Sequence, residues 1–324
     1  MTDRVVLAGG SGFVGTYLQE RYRELGREVT VVGRRSEVTW ADPEALVRAV
    51  DGASMVVNLA GRSVDSRYNA ANRAEILESR VRTTDALRTA LGRAVHPPAL
   101  WVNSSTATIY RHAMDRPMTE STGELGEGFS VSVARAWEDA LFAGTMPATR
   151  RVALRMAIVI GDGSVLERLV QLTRVGLGGP QWDSPWFPSA ARRAVGTEHR
   201  YGAPWGRQKF SWVHVEDVHE IIEFLAVHPE LDCVVNTSSP HPTDNASLMR
   251  LLRKELRVPI GIPLPRPVLE LGAAVMGTET ELILKSRWVI PERLQQAGYR
   301  FRHPEIADAI RSVLGPLASG ARKR

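Results

Sequence analysis

The apolar positions of the first 160 residues change period repeatedly. Short apolar runs at 4–8, 29–33, 55–59, 100–104 and 151–160 read as strands. Between them, at 12–25, 43–50, 69–91 and 131–143, apolar residues recur three and four apart, the spacing of one helix face. Such alternation predicts a parallel sheet with right-handed crossovers and helices on both faces. The second half is less regular. Residues 209–214 read as a strand, 216–227 as a helix and 233–236 as a strand, and 245–314 as short helices broken by Pro259, Pro263, Pro265, Pro267 and Pro291. Residues 176–208, rich in Gly, Pro, Trp and Arg, read as a long loop. Long loops often serve as lids, so Trp182, Trp186 and Trp205 are expected to be mobile without ligand and to close over a substrate. The stretch after Gly315 reads as a disordered tail.

The first strand runs into glycines at 9, 12 and 15, in Val-Val-Leu-Ala-Gly-Gly-Ser-Gly-Phe-Val-Gly, and a helix follows. Strand, glycine turn and helix together form the context of a dinucleotide cradle. Glycine lets the backbone approach a pyrophosphate, and the helix N-terminus offers free N–H groups to it. Gly9, Gly12, Phe13, Val14 and Gly15 are therefore expected to line a cofactor. The fold class that follows is α/β: a Rossmann-type doubly wound parallel sheet with a smaller, mixed C-terminal substrate domain. The expected division is 1–160 for the nucleotide-binding domain with 209–236 returning to it, 161–208 and 237–315 on the substrate side, and 316–324 as tail.

In this fold an acid at the end of the second strand hydrogen-bonds the adenosine ribose and favours NAD. Here that strand ends in Gly33-Arg34-Arg35, with no carboxylate. Guanidinium forks suit a 2′-phosphate, so NADP(H) is the expected cofactor. The small residues of Leu59-Ala60-Gly61 at the end of the third strand would let backbone pack against the nucleoside.

Composition narrows the picture. Apolar and charged contents of 44% and 24% are ordinary for a globular protein, and no apolar run is long enough for a membrane span. The single cysteine, Cys233, excludes an internal disulfide and reads as a small core residue. No secretory signal pattern opens the chain, so a cytoplasmic location is expected. The pI is about 9.6, yet the basic residues are scattered, which argues against a nucleic-acid partner. A small-molecule substrate, no membrane partner, and a monomer or homodimer are the expectations. Of 41 basic residues only four are lysine, at 209, 254, 285 and 323.

These motifs, with Ser104-Ser-Thr-Ala-Thr-Ile-Tyr110, Leu154-Arg155 through Gly161, and Trp212-Val-His-Val-Glu-Asp217, resemble the extended short-chain dehydrogenase/reductase superfamily. More narrowly, the chain resembles the atypical "epimerase family" branch of NAD(P)-dependent nucleoside-diphosphate-sugar epimerases with a C-terminal domain of unknown function. The marks are Glu75 with Ser79-Arg-Val-Arg-Thr-Thr84, Ala136-Trp-Glu138, Gly176-Leu-Gly-Gly-Pro180, and Val289 through Gly298 with Tyr299-x-Phe301. The resemblance implies NADP contacts at Gly33, Arg34, Leu59, Ala60, Glu75, Arg80 and the backbone near Val159. It departs after Pro180, where a longer stretch carries the tryptophans and Arg192, Arg193, Arg200 and Arg207.

Short-chain dehydrogenases move a proton with Tyr-x-x-x-Lys, the lysine lowering the phenol's pKa. The 131–138 helix holds neither residue, and no lysine precedes Lys209. Ser105 and Thr106 remain as strand-end hydroxyls able to orient a carbonyl. Tyr110 is the candidate substitute acid, with Arg111 and His112 beside it; Glu138 is a further candidate. His214 and His219 lack metal-ligand spacing; His214 is expected to satisfy backbone at a strand-to-helix corner, and no metal is expected. Two functions remain: an NADP(H)-dependent oxidoreductase or epimerase acting on a carbonyl or alcohol, a sugar nucleotide among the candidates, or a non-catalytic NADP(H)-binding regulator.

Overall fold

The structure, a computed structural model, describes residues 3–184, 186–187, 190–199 and 202–320, with side chains to residue 315. In chain order the nucleotide side comprises β1 (Arg4–Ala8), α1 (Phe13–Glu24), β2 (Glu28–Gly33), β3 (Val38–Thr39), α2 (Pro43–Val50), β4 (Met55–Asn58), α3 (Ala70–Arg93), β5 (Leu100–Thr106), α4 (Phe129–Phe142) and β6 (Arg150–Met156). Then follow β7 (Ile158–Ile160), α5 (Leu166–Leu172), β8 (Gln181–Trp182), α6 (Ala190–Ala194), β9 (Lys209–Phe210), β10 (Trp212–His214), α7 (Val215–Val227) and β11 (Cys233–Thr237). The chain closes with β12 (Thr243–Asp244), α8 (Asn245–Leu256), β13 (Leu264–Pro265), α9 (Arg266–Met276), α10 (Glu281–Leu284), α11 (Glu292–Gln296) and α12 (Ile306–Gly320).

Seven strands form one sheet in the order β11-β6-β5-β4-β1-β2-β3, every pairing parallel. The chain winds outward from β1 in both directions, so the ends of β1 and β4 diverge into a crevice, the usual ligand position in such sheets. Alternation along β1 serves both faces. Val5 and Leu7 join Leu18, Tyr22, Ile221 and Leu225 on one side, while Val6 and Ala8 join Leu46, Val50, Leu87 and Trp101 on the other. Caps fix helix starts: Asp42 accepts from Ala45 N–H at 2.9 Å, Asn69 from Asn72 N–H at 2.8 Å, and Asp244 from Ser247 N–H at 2.8 Å.

Three expectations change. The single 151–160 strand is broken: at Ala157 the chain leaves the large sheet, its N–H donating to Thr237 O, and β7 pairs with β10 in a separate ribbon. Cys233 is exposed at positive φ (55°), not a core residue; the side chain that enters the core from β11 is Val235. The stretch from Gly315 to Gly320 continues α12 as helix rather than a disordered tail, while 321–324 lie outside the described residues.

Candidate functional site

The glycine loop is shaped by contacts no side chain could share. Gly9 has φ +78°, and a Cβ there would lie 2.6 Å from Ala60 N; one on Gly15 would meet Gly9 O at 2.7 Å. The loop is thus clamped against the end of β4, with Leu59 N–H donating to Ala8 O at 2.8 Å. Gly12 caps α1 with no side-chain acceptor, and no acid stands in the first turn. Unlike α2, α3 and α8, α1 leaves its N-terminal N–H groups for an external anion. Phe13 packs against Gly161, where a Cβ would meet its ring at 2.6 Å, so the segment after β7 closes the near wall.

At the end of β2, Arg34 and Arg35 are exposed, and among the described residues neither makes an ion pair or hydrogen bond. Beside them a shallow depression of about 370 Å³ is lined by Ser11, Gln19, Arg23, Val29, Val31, Ser36 and Glu37. Its Ser11 and Ser36 hydroxyls suit a phosphate ester; Glu37 does not, and faces the same space. At the β4 end, Arg80 lies against Gly61, donates to Arg62 O and Ile76 O at 2.9 Å each, and sits over the Trp137 ring. Burial lowers its pKa to about 10. Glu75 is exposed and pairs with Arg62, two positions beyond Ala60. Val159 lies in β7 opposite Val213.

At the end of β5 a polar network crosses four elements. Ser105 Oγ donates to Glu138 Oε1 at 2.6 Å, and Arg155 grips both oxygens of Glu138 through Nε at 2.9 Å and Nη2 at 2.7 Å. Arg155 Nη1 donates to the Tyr110 hydroxyl at 3.0 Å, which donates onward to Asn236 Oδ1 at 2.9 Å. Asn236 N–H donates to Glu120 Oε1 at 2.8 Å. Tyr110 is 1% exposed, and burial raises its pKa despite the Arg155 charge. The expected activation by Arg111 does not occur, because that guanidinium pairs with Asp115 and Glu124. Thr106 differs from its neighbours: it is half-buried, and its hydroxyl oxygen accepts from Thr108 N–H at 3.1 Å.

A sequence model described as the NAD dependent epimerase/dehydratase family matches residues 5–236, covering the cradle and this network. The chain belongs to that family. A second model, a domain of unknown function (DUF1731), matches residues 264–313. The epimerase family protein SDR39U1 of Bos taurus is 30% identical over 322 residues, covering 96% of this chain and 99% of the relative. The human protein of that name, solved with NADPH, superposes with TM-score 0.81 at 28% identity, covering 96% and 98% of the two chains. A Thermus thermophilus UDP-glucose 4-epimerase solved with NAD superposes at TM-score 0.69 with 16% identity, a likeness of fold alone. The chain is thus an epimerase-family protein with an NAD(P)-binding Rossmann-like fold.

In this family member the stretch after Pro180 is anchored by charge. Asp183 is fully buried, contacts His199 Nε2 at 2.6 Å and accepts from Arg266 Nη1 at 2.7 Å. Arg192 pairs with Glu270 and Glu279, and Arg67 with Glu279. Trp182 and Trp205 meet edge to face at 4.7 Å, while Trp186 and Phe187 are exposed. Arg200 lies outside the described residues.

Among the described residues, one grouping gathers metal-ligating side chains: His214, Glu216 and His303, their atoms within 4.8 Å of one another. Protein partners already engage them. His214 Nδ1 accepts from Glu216 N–H, as expected for a backbone-satisfying histidine, its Nε2 contacts Ser312 Oγ, and Arg302 pairs with Glu216 at 2.9 Å.

Sequence reasoning missed Arg155, Asn236 and Glu120. Arg155 alone carried a signal, a charged residue at the end of an apolar strand.

Proposed function

We propose that this protein binds NADP(H) and acts as an atypical extended short-chain dehydrogenase/reductase on a small carbonyl or alcohol, with sugar nucleotides in the candidate class. The unpartnered Arg34-Arg35 pair at the end of β2, where NAD enzymes place an acid, carries the cofactor choice. The human relative holding NADPH supports it. Gly9, Gly12, Phe13, Val14 and Gly15 would cradle the pyrophosphate, Leu59, Ala60 and Gly61 the adjoining ribose, and Arg80 would hold Gly61 in place. The cofactor supplies a hydride when bound. Thr106, half-buried at the strand end, orients the carbonyl oxygen; Ser105 and Tyr110 hold the wall behind it through Glu138, Arg155 and Asn236.

A second reading, a non-catalytic NADP(H)-binding regulator, is favoured by the lack of Tyr-x-x-x-Lys and by the engagement of the Tyr110 hydroxyl. With either reading go the expectations of a cytoplasmic monomer or homodimer without nucleic-acid or membrane partner. Among the described residues no helix is long and apolar enough to cross a membrane.

Titration of NADPH and NADH against wild type and Arg34→Ala tests the reading. Loss of the guanidinium should weaken NADPH binding by about 1–3 kcal/mol and spare NADH, as for one charge-assisted bond. Equal wild-type affinity for the two nucleotides would sink it.

A further inference from the structure

Lysine is scarce in this chain, and Lys285 is buried, with 5% exposure. An ammonium carries three donors. Among the described residues Lys285 has one hydrogen bond, from Nζ to Thr108 O at 2.8 Å, and no carboxylate within ion-pair distance. Burial of an unpaired charge is strongly unfavourable, so a site that keeps it with donors unspent points to a use for them.

Its position agrees. Thr108 is held three ways: its N–H donates to Thr106 Oγ1, its carbonyl accepts from Lys285, and its hydroxyl oxygen accepts from Arg287 Nε at 3.0 Å. The lysine therefore grips the same turn as the hydroxyl that orients the carbonyl. The first turn of α4 docks on the same segment, Ser130 Oγ donating to Glu281 Oε2 at 3.0 Å. We propose that the Lys285 ammonium is the proton donor of this site, supplied by the C-terminal segment in place of the Tyr-x-x-x-Lys pair missing from α4.

The proposal rests on the hydride-transfer reading. In the reducing direction the carbonyl carbon accepts a hydride from the reduced nicotinamide, and the oxygen takes a proton from Lys285 Nζ. The C=O π bond is replaced by C–H and O–H bonds, the nicotinamide is oxidised, and the neutral amine recovers its proton from water. The surroundings poise the group. Burial, helped by the Arg287 charge and opposed by Glu281, pushes the Lys285 pKa down to about 8. Burial, helped by His199 and by the same cations and opposed by Asp183, lowers His112 to about 4. Burial, helped by Glu281 and Glu279 and opposed by the Ser130 hydrogen bond and Arg287, raises Tyr68 to about 12, which makes it a poor acid at neutral pH.

Pulsed amine labelling of the full chain from neutral to alkaline pH, read by peptide mass spectrometry, resolves the four lysines. Lys285 should titrate near 8, below the ordinary lysine value of 10.5, with Glu281→Gln lowering it further. Lys285→Met should bind NADPH as wild type does and reduce an active carbonyl on the order of 100-fold more slowly or worse, the usual loss for a general acid. Lys285→Gln, which keeps a donor for Thr108 O, should bind NADPH and be equally slow, separating lost chemistry from lost fold. A Lys285 midpoint at the ordinary lysine value of 10.5, or unchanged turnover in both variants, would overturn the proposal. Wild type that fails to bind NADPH would instead sink the underlying reading.

Discussion

Two buried polar clusters flank the end of β5, each built around a cation, and their donors are spent differently. On one side Glu138, Arg155, Ser105, Tyr110 and Asn236 match donor to acceptor, and the carboxylate takes a two-pronged guanidinium and a hydroxyl. On the other, Lys285 offers three donors and places one. A matched buried cluster is a clamp: its groups hold four elements in register and are not free to exchange protons. An unmatched one bears an energetic cost that only a ligand, water or a change of charge relieves. The difference separates residues that shape the pocket from those placed to act in it.

The clamp should fail most severely when one charge is removed. Glu138→Ala leaves Arg155 buried without its carboxylate. Breaking one side of such a pair costs about 3–5 kcal/mol. Denaturant unfolding should show that loss, and a change below about 1 kcal/mol, the range of an exposed pair, would show that the cluster is solvated and the contrast false.

The two clusters also mark where sequence reading stops. The cofactor cradle was legible because its parts are contiguous: one turn holds Gly9, Gly12 and Gly15, and the β2 end holds Arg34 and Arg35. The doubly wound parallel sheet followed from the alternating periods. The clamp draws on residues 105, 110, 138, 155 and 236, brought together only by the order of β5, β6 and β11. No local pattern announces that juxtaposition. Tyr110 was visible as a phenol beyond a strand, yet the arginine that reaches it is Arg155, 45 positions away, rather than the adjacent Arg111. Cys233 misled for a related reason: its positive φ and exposure belong to the turn entering β11, which an apolar run conceals.

A third buried cation site, latent at His214, gives a pH test away from both clusters. Burial and the neighbouring His303 lower the His214 pKa from 6.5 to about 4. Between those values the unfolded chain binds a proton that the folded chain refuses, so stability is full above 6.5 and falls as the pH drops toward 4. His214→Asn retains a good N-cap acceptor without the titration. Its melting temperature should vary less with pH across this window, and an identical pH profile would exclude His214 as the source.

Tyr110→Phe probes the clamp at its edge. The ring and its packing stay, but Asn236 Oδ1 loses a donor and Arg155 Nη1 an acceptor. Leaving buried polar groups unmatched costs about 1–3 kcal/mol, measurable by denaturant unfolding, while NADPH affinity should not move. A large loss of turnover with full stability would restore Tyr110 as the acid and break the division between the clusters.

The smallest effect on stability is expected at Lys285. Lys285→Met removes one hydrogen bond to Thr108 O and also the need to bury an unpaired ammonium. Replacing a buried charge by an apolar side chain of similar length is often neutral or stabilising. The lost hydrogen bond is worth about 0.5–1.5 kcal/mol, so the two contributions oppose. Unfolding free energy should therefore change by less than about 1 kcal/mol, against the much larger loss at Glu138. The advantage of the variant over wild type is largest below pH 8, where the ammonium is charged in the fold. The folded pKa is depressed from 10.5 to about 8, so the wild-type lysine is least favourable to folding at neutral pH and its burden lifts as pH rises through that range. Lys285→Met should gain on wild type at neutral pH and lose that advantage toward pH 10. A loss as large as that of Glu138→Ala, with no such pH trend, would make Lys285 a second clamp and remove the contrast on which its role depends.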